Sequence, residues 1–526
     1  MRLQFLPALA LSGLVVTALP AGTGSALAQS RADAEAALTR MGLIGSTSED
    51  FSYADASWTG GRYILSDVVV RNLDIDNEDV DVDGPEEMNI ARMIFEAPRI
   101  NADDDVVFDA FAVEGLSMID ADGGHVEIAR IAVDGPNTAM AADLARMLSG
   151  QDDFDPDWSA YRFESLGFEG FGVQGDDGEG PFDISVEQFI LQDFGDVELG
   201  RMALMNVSVD AVSDGAPLTL RLGELSVTGF QSSAYSELME AMASGAGEDE
   251  VMSAYYRSAF SPQLDLFDRF AMRGLEGSAE GVGFALDNLV GTINKAGSRY
   301  TWDFALDSAR IVPDAAQEAG AQIATAIGML GYESLELSMA SSAVYDESTG
   351  RMQTVGDNYL ELRDGVRMEM AQDFGGYDEY YAALPEMAER FGEGAKEAPS
   401  EDADAVLEMM APLILYNMSL RIVDQSLLER ALEAGAAAQG ITTDELRMQT
   451  AAMVGMGMMS APPEIPRPLL SQLSGALTQF INNGGSLTID VTPPEPVSIG
   501  TIAEQIENDT FDYNALGITF SAEAPQ

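Results

Sequence analysis

Long stretches of this chain alternate apolar and polar residues with a period of two, and that period dictates β-strands whose two faces differ. Tyr63, Leu65, Asp67 and Val69 alternate with more polar or small neighbours, as do Val126, Ile128, Arg130 and Ala132. Ile184, Val186 and Gln188 repeat the pattern, and so do Leu218, Leu220 and Leu222. Between the runs lie Asp122-Gly123-Gly124, Asp134-Gly135-Pro136, Asp177-Gly178 and Asp214-Gly215. Asp-Gly is a dipeptide that hairpins select, because both residues tolerate positive φ. Strands joined by such turns pair antiparallel, with one packed face and one wet face. The stretches that begin at Phe111, Phe168 and Leu225 are loosely similar and read as steps of one meander rather than a strict solenoid.

Elsewhere the period lengthens to that of a helix. Helices are expected over about 32–42, 137–148, 235–242, 314–329, 424–439, 443–459 and 469–482, with further strands between the later ones. The fold class is therefore α+β and β-dominated: a long antiparallel β-meander with helical insertions and a helix-rich C-terminal region. Four segments are expected: a signal peptide over 1–28, a β-rich meander region over 29–391, an acidic Gly/Ala linker over 392–405, and the helix-rich region over 406–526. Short strands near 416–423, 486–491 and 516–521 have the same one-faced pattern and are expected to return to the sheet.

The N-terminus has the parts of a secretion signal. Arg2 is followed by an apolar stretch from Leu3 to Leu19, and Ala26-Leu27-Ala28 offers a small-x-small cleavage site before Gln29. No later segment holds the ~18 uninterrupted apolar residues of a spanning helix. A periplasmic or extracellular location after cleavage is the expectation, with no transmembrane span in the mature chain.

The chain carries 27 Lys+Arg against 88 Asp+Glu, a net charge of −61, and its only lysines are Lys295 and Lys396. Nucleic acid is not a partner for such a surface, which has no basic stripe to displace phosphate counterions. An anionic bilayer is disfavoured for the same reason. With 46% hydrophobic residues the chain folds around a core, and the charge reads as a solvated acidic surface.

Catalytic constellations are poorly supplied. His125 is the single histidine, and a Ser-His-Asp unit would need it as base. Zinc sites built on His or Cys lack ligands, because there is no cysteine. The chain reads as non-enzymatic, although paired-carboxylate chemistry stays open. The best metal candidate is Asp79, Asp81 and Asp83 with Gly84, which match the D-x-D-x-D-G start of a calcium loop. Pro85 follows the glycine, and Ile90 stands where the loop needs a bidentate Glu, so a solvated acidic loop is the competing reading. Met453, Met456, Met458 and Met459 have the spacing of a soft Cu(I) site, but methionine at helical spacing is more often core filler.

Leu330-Gly-Tyr-Glu-Ser-Leu-Glu-Leu-Ser-Met339, Ala343 to Asp346, Tyr359 to Leu362 and the tail Asn482 to Asp490 resemble β-rich exported proteins of the Gram-negative periplasm. Over about residues 260–526 the chain is distantly similar to AsmA-like proteins. That resemblance implies a curved sheet with a lipid-carrying groove. It also implies a retained membrane anchor, which cleavage at Ala28 would remove.

One apolar face recurs in the strands, at Leu116, Met118, Met202, Leu204, Leu220, Leu222, Leu335, Leu337, Met339, Met368 and Met370. If helices cover it fully, the chain is an interaction scaffold of the envelope with an ordinary core. If they cover it partly, a groove remains for lipid acyl chains. A carboxylate-based hydrolase of envelope polymers is the third class. Lipid or an envelope protein is the expected partner.

Overall fold

The computed structural model describes residues 30–45, 50–71, 87–119, 124–150, 160–176, 180–195, 198–213, 216–231, 251, 266–383, 410–459, 465–508 and 510–525. It is β-dominated, and its strands form antiparallel meanders in two compact units. Unit 1 comprises residues 1–233 with 270–279, and unit 2 comprises 234–269 with 280–526.

Unit 1 opens with helix α1 (Arg31–Arg40). Ser30 caps it by accepting from the Asp33 amide, while the Asp33 carboxylate accepts from the Ser30 amide. The strands follow in order: β1 (Phe51–Ser52), β2 (Asp55–Thr59), β3 (Arg62–Arg71), β4 (Glu87–Glu96), β5 (Arg99–Ile100), β6 (Val106–Val107), β7 (Ala110–Ile119) and β8 (His125–Asp134). Helix α2 (Thr138–Leu148) precedes four long strands, β9 (Phe163–Asp176), β10 (Pro181–Gly195), β11 (Glu198–Ser213) and β12 (Ala216–Gln231); β13 (Arg269–Ala279) follows. Both β1 and β2 pair with β3, and the ladder then runs β3, β4, β7, β8, β9, β10, β11, β12. Bonds between Thr219 and Ser278 and between Arg273 and Glu224 set β13 beside β12. β5 and β6 form a separate two-stranded pair.

One feature of this sheet departs from plain alternation. Asp67, Gly115, Gly170, Asn206 and Gly274 all have left-handed backbone, with φ of 50°, 63°, 60°, 51° and 60°. They lie on β3, β7, β9, β11 and β13, one on every second strand. In the register they fall on a single line with Ala91, Ala129, Glu187 and Gly223 of the strands between. A left-handed residue resets the side-chain alternation and bends the strand. Leu65 and Val68, which a regular strand would send to opposite faces, are both buried in the same core. Asp67, Ala91, Gly115, Ala129, Gly170, Glu187 and Asn206 are exposed on the other side. The sheet is thus creased along this line, and the apolar residues on both sides of it share one face. The alternation read through Asp67 and Val69 of β3, and through Arg130 and Ala132 of β8, is corrected at this crease: beyond it Val68, Ile131 and Val133 join the apolar face.

Unit 2 contains β14 (Val282–Ala296), β15 (Arg299–Pro313), helix α3 (Glu318–Met329), β16 (Leu335–Asp346), β17 (Arg351–Thr354), β18 (Tyr359–Leu362), β19 (Val366–Gly375) and β20 (Ile414–Asp424). Helices α4 (Leu427–Gln439), α5 (Thr443–Met459) and α6 (Arg467–Asn483) come next. The unit closes with β21 (Ser486–Val491), β22 (Val497–Ser498), α7 (Ile499–Glu507) and β23 (Ile518–Glu523). Thr442 and Glu445 cap α5 reciprocally, as the Thr-x-x-Glu pattern requires. β17 and β18 both bridge β16 to β19, β20 pairs with β19, and β21 pairs with β20 and β23. The late strands therefore continue the same sheet as β14 to β19. The expected linker over 392–405 lies outside the described residues.

Candidate functional site: two apolar sheet faces

Antiparallel partners point their side chains to the same side, so the register shows which residues share a face. In unit 1 one row crosses eight strands as Val68, Ile90, Leu116, Ile128, Phe171, Val186, Val207 and Leu222. Across the crease a second row reads Leu65, Met93, Val113, Ile131, Phe168, Phe189, Leu204 and Leu225. The outer rows, Val70 to Leu220 and Tyr63 to Val227, are also apolar throughout. Leu116, Met118, Met202, Leu204, Leu220 and Leu222, singled out from the sequence, all fall on these four rows.

Coverage of this face changes along the sheet. From β3 to β8 the two rows beside the crease are closed except at half-buried Ile131: Leu65, Val68, Ile90, Met93, Val113, Leu116 and Ile128 are buried, with Ala34, Ala37 and Leu38 of α1 in the same cluster. Burial pushes the Tyr63 pKa up, and Glu35 and Arg31 of α1 interact with its hydroxyl. Phe108 packs on Phe95 and Phe111 with ring centroids 6.0 and 5.9 Å apart. From β9 to β12 Phe168, Phe171, Phe189, Leu204, Val207, Leu222 and Leu225 are only half-buried. Nothing polar interrupts this lining in the four rows.

Unit 2 has its own apolar face. Leu289, Leu306, Met339, Leu360, Met368, Ile422 and Leu487 form a row across seven strands. Met370, Leu420, Ile489 and Phe520 form the next. Leu335 and Leu337 lie on the same face, opposite Ile311 and Ala309. Helix α6 packs on β23, where Gln479 donates to the Ala522 carbonyl at 2.8 Å, and Leu487 is buried. In the middle of the sheet cover is thin: Leu360 is 44% exposed, Met368 37% and Met370 49%. The three side chains adjoin one another in the register and form an exposed apolar patch in the centre of the sheet. Toward one end the same face closes under an aromatic cluster of Tyr300, Trp302, Tyr345, Tyr377 and Tyr381. Burial pushes Tyr377 up to about 12 and Tyr381 further.

The opposite face of unit 2 is polar. Arg367 lies 3.6 Å from the centroid of the Tyr359 ring and pairs with Glu361 and Glu369 at 3.1 and 3.0 Å. Arg421 continues the ladder to Glu369 at 3.0 Å. This arrangement keeps one side of the sheet wet and leaves the other to apolar chemistry.

The remaining sequence candidates do not converge. Asp79, Asp81 and Asp83 lie outside the described residues. His125 is the exposed first residue of β8, flanked in the register by Ile119 and Gln174, neither of which is a nucleophile or an acid. On α5, Met453 and Met456 are exposed, while Met458 lines a shallow hollow with Leu470 and Ser474 of α6. The crease was not read from the sequence. Its signal is a step of three instead of two between apolar residues, as in Leu65 to Val68 and Val113 to Leu116.

A comparison with curated proteins gives no match. A protein-family model described as "Uncharacterized protein" matches residues 359–523, the stretch from β18 to β23 that contains Leu360, Met368, Met370 and helices α4 to α7.

Proposed function

We propose that this chain is an exported, non-enzymatic envelope protein that holds the hydrocarbon chains of lipids against an apolar sheet face. The observation that carries the reading is the exposure of Leu360 and Met368 in the centre of an apolar row that crosses seven strands, with exposed Met370 beside them in the next row. An ordinary core would bury that row, at a gain of about 25 cal/mol for each Å² of apolar surface removed from water. Methionine suits such a lining because its unbranched thioether adapts to chains of different shape. The half-buried lining of β9 to β12 supports the same reading. Export rests on Arg2, the apolar stretch after it and Ala26-Leu27-Ala28.

The test is direct. The protein, purified gently from its native envelope, is extracted with organic solvent, and the extract is analysed by mass spectrometry. Stoichiometric phospholipid or fatty acid is the expected result. A lipid-free protein that also takes up no NBD-labelled phosphatidylcholine would return the chain to the scaffold reading, in which the face meets an envelope protein.

A further inference from the structure

In unit 1 the lining is only half of what makes a receptacle. A flat apolar face presents its side chains in parallel, and an acyl chain laid on it keeps much of its surface in water. The crease changes this, because its left-handed residues stand on the outer side and bring the apolar rows on both sides of it onto one face. Asn206 is the crease residue that sits within the half-buried stretch and is not glycine. It has φ 51°, is exposed on the outer side, and donates from Nδ2 to Glu187. Asparagine tolerates this conformation better than most residues with a β-carbon, and a β-branched residue tolerates it worst.

We infer that Asn206 is a positioning residue: by holding the crease on β11 it shapes the opposite, apolar face for a lipid hydrocarbon chain that it never touches. The inference rests on the proposed lipid-holding role and adds to it that the backbone of the outer face determines affinity on the inner one.

The chain has no cysteine, so one introduced cysteine is a unique label site. Leu222→Cys, carrying a polarity-sensitive fluorophore, reports on the unit 1 face, and Met370→Cys reports on the unit 2 face. Each is titrated with nitroxide-labelled phosphatidylcholine, whose bound chain quenches the fluorophore. In the Leu222→Cys background Asn206→Gly and Asn206→Val both lose the bond to Glu187, but only valine opposes the left-handed conformation. Asn206→Gly should titrate like its parent, and Asn206→Val should bind roughly five- to twentyfold more weakly while still folded, because fewer molecules hold the creased form. Asn206→Ala is the milder substitute if the valine variant does not fold. Equal titration of the glycine and valine variants would overturn the inference and leave the lipid reading standing. Quenching at Met370→Cys alone would overturn it too, by removing unit 1 as a receptacle. Quenching at neither site would sink the lipid reading itself.

Discussion

Gly170 of β9 lies directly against Ala129 of β8: a β-carbon added at Gly170 would stand 2.8 Å from the Ala129 methyl, closer than real carbon atoms approach. Gly115 and Ala91 repeat the relationship two strands away, at 2.9 Å. Each pair combines a left-handed residue with a small one across the ladder, and the crease depends on both.

Gly170→Ala should therefore destabilise the protein by about 2–4 kcal/mol, the sum of left-handed strain and overpacking. Ala129→Gly placed in the same chain should restore the overpacking part and leave the strain. Urea unfolding of the two single variants and the double variant measures this. A Gly170→Ala protein as stable as the parent would show that the crease is not strained by side chains.

Leu65 and Met370 should separate core from binding surface. Leu65 is fully buried and Met370 is 49% exposed. Leu65→Ala should cost about 2–5 kcal/mol, whereas Met370→Ala should stay within about 0.5 kcal/mol. Met370→Asp should leave thermal stability nearly unchanged and reduce lipid recovered with the purified protein. Equal lipid content in the Asp variant would count against the unit 2 face.

Asp373 should govern part of the acid limb of stability. Burial raises its pKa, but bonds from Arg351 at 2.7 and 2.5 Å and from Gln353 at 2.8 Å outweigh that and hold the carboxyl below the usual range. Its folded pKa is depressed, so the stabilisation is complete above the unfolded value of about 3.9 and is lost as pH falls through the folded value. Asp373→Asn should flatten stability against pH in that window. Arg351→Gln, which strands the buried carboxylate, should cost about 2–3 kcal/mol at neutral pH, less than for a fully buried pair because the Arg351 side chain is 38% exposed.

Tyr377 should govern the alkaline limb. Its folded pKa of about 12 lies above the ordinary 10, so its contribution is intact below pH 10 and is lost as pH rises toward 12. In a spectrophotometric titration the phenolate signal of Tyr377 and Tyr381 should lag that of the other tyrosines and appear with unfolding. A single homogeneous titration near pH 10 would contradict the burial of this cluster.

Much of the fold was legible because alternation, Asp-Gly turns and capping pairs act locally. The helical period over 443–459 announced α5, and the late strands were recognisable from the same one-faced pattern as the early ones. The residues of the apolar faces were legible for the same reason, since Met339 and Met368 need only their own strands' parity to be placed. What covers them was not legible: α1 meets β3 across loops, and pattern alone does not reveal which strands a helix reaches. The crease was hidden by its own chemistry. Gly115 and Gly170 hint at it, but Asp67 and Asn206 read as ordinary polar positions, and only pairing across strands aligns the four.

Along the crease, left-handed residues stand on β3, β7, β9, β11 and β13 and not on the strands between, so the repeating unit of the creased line is a pair of strands. Insertion or loss of two strands would preserve the alternation of bent and straight backbone at the crease. Insertion of one would set two left-handed residues side by side, or none, and the line would break. A sheet built this way lengthens or shortens in hairpins, and variation among its relatives should be counted in twos.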